Sequence, residues 1–199
     1  TMQQEEKEAT AYHEAGHALV AYHLEKADPI HKITIIPRGQ ALGLTSFLPD
    51  ADRLSLDKEF LLAKITTALG GRAAEELVLN DFSTGVESDI KNATDIAYQM
   101  ICKWGMSDQL GALAITQGDS GNFLAIDYNA EEPVSEEMQQ IVDDEVHSMI
   151  RTCYSKAVSI LSEKKNQLKA LAEALIEKET LTLDQVNDLL KGPATDPIT

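Results

Sequence analysis

The chain has 199 residues, 43% hydrophobic and 25% charged, proportions that exclude intrinsic disorder and fit one large domain or two small ones. A fold of this size buries roughly 70% of its unfolded surface, enough for a real core and a sheltered site. Thirty-three acidic residues against 17 basic ones give a formal charge of −16, which repels phosphate backbones and anionic lipid alike and argues against a nucleic-acid partner.

From about Gln3 to Leu24 the residues are good helix formers, and nothing breaks the pattern before Asp28-Pro29. Two short strands follow, the β-branched run His31 to Ile36 and then Leu44 to Leu48, separated by Pro37-Arg38-Gly39 and stopped at Pro49. After Asp57, Leu61, Ile65, Ala68 and Leu69 share one helical face, and the paired Gly70-Gly71 predict a kink or a close helix crossing before the pattern resumes to Leu77. A further helix is expected from near Thr84-Gly85 to Trp104. Its apolar stripe is Ile90, Ala93, Ala97, Ile101 and Trp104, all read as core, and Gly105 is placed to end it in a left-handed turn.

Residues 111–133 have weak periodicity and several Gly and Asn, the signature of a loop, the segment most expected to be mobile, with one short strand at Leu113 to Ile115. From Ser135 the pattern is helical again and reads as two long helices in a hairpin. Thr182 followed by Gln185 is a capping box for a last short helix ending before Gly192-Pro193. Cys102 and Cys153 lie in apolar helical patterns far apart, which points to free thiols and a reducing compartment. The longest apolar stretches fall short of the ~20 residues that a membrane helix needs. Opening on Thr1-Met2 and running straight into a charged helix, the chain reads as a soluble piece of a longer polypeptide.

The chemistry is concentrated in Tyr12-His13-Glu14-Ala15-Gly16-His17, an H-E-x-x-H pattern inside a helical segment. Positions i and i+4 share a face, so both imidazoles can offer a nitrogen to one Zn2+, while Glu14 is directed beside the ion. In a peptidase the ion acidifies a water, and Glu14 takes its proton and passes it to the leaving amine. Gly16 costs ~1 kcal/mol in a helix relative to alanine, a cost usually offset by a close approach, here of a neighbouring backbone under the metal. A catalytic zinc needs a third protein ligand. Glu75, Glu76 and Asp89 are the acidic candidates. Asp89 stands on the edge of its helix's apolar arc, where an unpaired charge is costly, although a carboxylate in a first turn also suits the helix dipole. His23, His31 and His147 read as structural or exposed.

These residues resemble the peptidase domain of the FtsH family, membrane-anchored ATP-dependent zinc proteases. The matching stretches are Tyr12 to Ala18, Ile36-Pro37-Arg38-Gly39 with Ala41-Leu42-Gly43, Leu69 to Glu76, Ser83-Thr84-Gly85 with Asp89-Ile90, and Trp104-Gly105-Met106-Ser107. The resemblance implies Asp89 as third ligand beside His13 and His17, with Glu14 as catalytic base. Ser88 departs from the asparagine usual in the family, which should alter a local hydrogen bond without removing the metal.

The resemblance further implies a mainly α fold with a small β-sheet, in which a zinc-peptidase helix joins a helical bundle, as one domain over residues 1–192 with a tail at 193–199. It implies a hexamer, of one chain or of paralogues, acting on unfolded polypeptide. ATP use and membrane attachment would come only through an ATPase module and anchoring segments outside these residues, the whole facing the cytoplasm in bacteria or an organelle interior in eukaryotes. A substrate strand is expected to pair with the sheet edge at Leu44, Thr45 and Ser46. Two other readings are a non-catalytic assembly module, against which both histidines and Glu14 stand, and a stand-alone peptidase.

Overall fold

The computed structural model describes residues 3–49, 52–115 and 134–191. Most of the expected loop, residues 116–133, and the tail lie outside them.

Helix α1 (Gln4–Tyr22) begins at an extended Gln3, with Glu5 and Glu6 in its first turn where the helix dipole favours negative charge. Nearly every residue from Thr10 to Ala21 is buried, so α1 is the central element, covered on all sides. Strands β1 (Ile30–Thr34) and β2 (Leu44–Phe47) pair antiparallel, with Ile33 opposite Thr45. Helix α2 (Lys58–Leu79) is capped by Asp57, whose carboxylate accepts from the Phe60 amide at 2.8 Å, and ends at Asn80 in the left-handed conformation. It is continuous through Gly70-Gly71: the glycines serve a crossing, and there is no break in the helix.

A short 3-10 turn at Thr84–Val86 precedes α3 (Glu87–Cys102). Gly105 has φ +62, the expected left-handed turn, but the helix stops before it. Trp104 therefore leaves the helical stripe and is 45% exposed, which corrects its assignment to the core. Leu113 to Ile115 form no strand. The Ile115 amide bonds the Cys102 carbonyl at 2.8 Å, a single tie to the end of α3 that no neighbouring strand extends.

Helix α4 (Glu136–Glu163) is capped by Ser135 and joined at Lys164 to α5 (Lys165–Lys178). The two are consecutive, but they do not pack as a hairpin. Helix α4 lies along α2, whereas α5 lies along α1, so each finds its apolar partner elsewhere. At Glu179, φ +64, the chain turns sharply into β3 (Thr180–Thr182) and α6 (Leu183–Lys191). The expected capping box forms: Gln185 Oε1 accepts from the Thr182 amide at 2.9 Å. Strand β3 was not expected, because three residues between helices carry no readable alternation. It completes an antiparallel sheet in the order β2-β1-β3.

Two cores result. One gathers α1, β1, α5, β3 and α6 with Ala73 and Ala74 of α2 and Ala157 and Leu161 of α4, and the other joins the first half of α2 with α3 and the earlier part of α4. Both cysteines are free and buried, and burial pushes their thiols above the usual range. Among the described residues no helix is long and apolar enough to cross a membrane.

Candidate metal centre

Where α1 crosses α2, three glycines remove the side chains that would hold the helices apart. A Cβ on Gly16 would lie 2.4 Å from the Gly70 carbonyl oxygen, and one on Gly70 would lie 2.8 Å from that of Gly16. The cost of Gly16 inside a helix is thus offset by backbone-to-backbone contact, as its position suggested. Gly71 comes one residue later and faces the two imidazoles. Its missing Cβ would sit 2.7 Å from the Nε2 atoms of both His13 and His17.

The two rings meet nearly at right angles, 85° between planes and 4.6 Å between centroids. Their Nε2 atoms are 3.0 Å apart, and Asp89 Oδ2 lies 2.9 Å from that of His13 and 3.1 Å from that of His17. Three atoms with lone pairs therefore converge from α1 and from the first turn of α3, 72 residues or more apart in sequence. Glu76 is not among them; its carboxylate is hydrogen-bonded by the Tyr154 hydroxyl.

Each ring is held from behind. His13 Nδ1 is 2.7 Å from Glu75 Oε2, and His17 Nδ1 is 2.8 Å from the Thr67 carbonyl oxygen. Both partners are acceptors, so each Nδ1 carries a hydrogen and each Nε2 of a neutral ring presents a lone pair. Glu75 is 1% exposed, and its other oxygen accepts from the Ser83 amide at 3.3 Å. One carboxylate thus ties α1 and α2 to the turn that launches α3 and Asp89. Glu75 was considered as a ligand from the sequence; here it meets the opposite nitrogen. No spacing signal separates these two roles, because both put a glutamate within reach of the same ring.

Two lone pairs and a carboxylate oxygen cannot face one another at 3 Å without a positive charge among them. Zinc fits that need: ligand bonds of ~2.0–2.1 Å in tetrahedral array put ligand atoms about 3.3 Å apart, close to the spacings here. Without a metal, a proton must serve. Burial works against the charged form of His13, but its hydrogen bonds to Asp89 and Glu75 outweigh that and raise its pKa to about 10. For Asp89 burial would raise the pKa, and the bonds from His13 and His17 instead hold it well below the usual carboxylate range. His13, His17 and Asp89 are the one group among the described residues with the donor set and spacing for a metal ion.

Glu14 is 6% exposed and lies against the strand β2. Its Oε2 accepts from the Thr45 hydroxyl at 2.6 Å, and a Cβ on Gly43 would come within 3.0 Å of its Oε1. The other two residues expected at the sheet edge behave differently. Leu44 is 42% exposed, and the Ser46 hydroxyl donates to the Lys32 carbonyl at 3.4 Å. His23 bonds Gln167 at 2.7 Å, while His31 and His147 are exposed, all three away from the centre. Ser88 is exposed beside Asp89.

The family model of peptidase family M41 matches residues 1–189. An ATP-dependent zinc metalloprotease FtsH of Pelodictyon phaeoclathratiforme is 48% identical over 98% of this chain and 30% of its own length. Proteins of the same name from Magnetococcus marinus and Myxococcus xanthus are 47% and 45% identical over 95% and 96% of the chain, and 28% and 30% of their own lengths. The chain spans about 30% of the length of the curated relatives it matches.

Proposed function

The chain belongs to peptidase family M41, and from that premise we propose that it is a zinc-dependent endopeptidase domain with His13, His17 and Asp89 as the metal ligands and Glu14 as the catalytic base. One observation carries the reading: His13 Nε2, His17 Nε2 and Asp89 Oδ2 lie within 3.1 Å of one another, the donor set and spacing that suit a bound metal ion.

When bound, zinc supplies Lewis acidity, bringing the pKa of a water from 15.7 toward ~7 and polarising the scissile carbonyl. The chain's own residues do the rest. Glu75 and the Thr67 carbonyl keep both histidines in the tautomer that ligates. Glu14 sits next to the first ligand in sequence, with one carboxylate oxygen anchored by Thr45, and is placed to take a proton from water and give it to the leaving amine. Strand β2 is paired with β1 on one side only, and its other edge suits an extended polypeptide laid along Leu44, Thr45 and Ser46. Main-chain pairing gives affinity with little demand on sequence, as a protease of unfolded polypeptides needs.

The names of the relatives include ATP dependence. We extend the reading to a longer polypeptide whose ATPase module unfolds proteins and delivers them, assembled as a six-membered ring of one chain or of paralogues and anchored in a membrane. Zinc stoichiometry and casein cleavage test the site. Glu14→Gln should keep zinc and lose cleavage, and Asp89→Ala should lose both. Full zinc content in Asp89→Ala, or normal cleavage by Glu14→Gln, would overturn the assignment.

A further inference from the structure

We propose that Thr45 is a positioning residue for Glu14, its hydroxyl fixing the rotamer of the base, an inference that rests on the peptidase reading. The Thr45 Oγ1 lies 2.6 Å from Glu14 Oε2, the length of a charge-assisted O–H to carboxylate bond, and 3.1 Å from the Glu14 backbone oxygen. The single hydroxyl hydrogen therefore goes to the carboxylate, and the bond joins the strand to the helix across 31 positions of sequence.

Strand geometry does not ask for a hydroxyl here. Valine satisfies β-branching and half-burial equally well. What the hydroxyl adds is a donor aimed at an otherwise acceptor-only group in a buried setting. The same segment closes the other side: at Gly43 a Cβ would meet Glu14 Cγ at 2.9 Å and Oε1 at 3.0 Å, so the chain approaches the carboxylate more closely than any other residue allows. Glu14 is thus confined on one oxygen by contact and on the other by a hydrogen bond, both from the segment Gly43-Leu44-Thr45. A glutamate side chain loses rotamer freedom when ordered, and a base that wanders out of line during turnover is a slow base. Strand alternation turns Leu44 and Ser46 away from Glu14, so the Thr45 side chain serves the base while the backbone of the same strand stays available for pairing.

The test compares Thr45→Val, which keeps shape and branching, with Thr45→Ser, which keeps the hydroxyl. Both are made in the full chain loaded with zinc and assayed on an unstructured fluorogenic peptide beside wild type and Glu14→Gln. In Thr45→Val we expect kcat to fall roughly 10- to 100-fold with KM changed by less than about threefold and zinc content unchanged. In Thr45→Ser kcat should return to within about threefold of wild type. Normal kcat in Thr45→Val, a serine variant as slow as the valine one, or a loss confined to KM or to zinc content would overturn the positioning role. If Glu14→Gln is inert while Thr45→Val is normal, the role of Thr45 alone fails. If Glu14→Gln cleaves like wild type, the peptidase reading fails and this inference with it.

Discussion

Replacing Gly71 by alanine should cost the chain its metal while leaving the fold intact. The added methyl would stand 2.6 Å from His13 Cε1 and 2.7 Å from the Nε2 atoms of both His13 and His17. Ordinary contact begins near ~3.5 Å, so the rings must retreat by about 0.8 Å. Zinc sites accept deviations of about 0.2 Å in bond length, a quarter of that displacement. The rings cannot retreat freely, because Glu75 holds one from behind at 2.7 Å and the Thr67 carbonyl holds the other at 2.8 Å. We expect zinc affinity to fall at least as far as for loss of a hydrogen bond behind a ligand, roughly 10- to 100-fold. The metal-free protein should fare better, since alanine is favoured over glycine inside a helix by ~1 kcal/mol and only two side chains need to move. Chelator competition measures the affinity, and thermal melting in EDTA measures the fold. An alanine variant that binds zinc like wild type would refute the claim that Gly71 keeps the ligand space open.

Gly16→Ala should behave in the opposite way, because its methyl would meet the Gly70 carbonyl at 2.4 Å and Ala74 Cβ at 2.6 Å. Overpacking of this kind costs ~1–3 kcal/mol or more, read as a lower denaturation midpoint even in EDTA, and an unchanged midpoint would contradict the crossing. Glu75→Gln should weaken zinc binding roughly 10- to 100-fold, measured by the same chelator competition, since a neutral amide holds His13 less firmly in the ligating tautomer. In protein stripped of metal, the pKa of His13 rises from 6.5 to about 10, so its proton stabilises the fold fully below pH 6.5 and that contribution is lost as pH climbs through about 10. Asp89, lowered from 3.8, contributes above that value and loses its contribution as pH falls through its depressed native pKa. The melting temperature of the stripped protein should therefore be highest between pH 4 and 6.5 and decline toward pH 9, and a flat profile over that range would count against the His13 contacts. Peptides N-methylated at alternate amides should be cleaved poorly if substrate pairs along β2, and equal rates for both methylation phases would argue against edge pairing.

The central helix was legible because its residues are long runs of helix formers and its two histidines are one turn apart, a periodicity that survives any packing. Gly16 and Gly70-Gly71 announced a close approach, and the crossing is there, with α2 running unbroken through it. Asp89 was a candidate on spacing and an expectation by resemblance. Nothing in one sequence measures the distance from α3 to α1, since that depends on how both helices settle on α2. Errors arose where local pattern was silent about partners. Trp104 continued a helical stripe on paper, but the helix had already ended at Cys102. Strand β3 was too short to show a period and exists because β1 offers it an edge. The supposed hairpin of α4 and α5 failed for a related reason: amphipathic faces say that a helix packs, not on which neighbour. Thr45 was read for its backbone, and its side-chain contact with Glu14 could not be seen until strand and helix were placed together.

The donors of the metal centre are drawn from both cores. His13 and His17 ride on α1 in the first, Asp89 on α3 in the second, and α2 and α4 run through both. A cation held there is a rivet across a seam, and its grip depends on two cores joined through α2 and α4 staying in register to a few tenths of an ångström. Substitutions deep in either one, far from any ligand, should then surface first as altered metal retention, well before the protein melts.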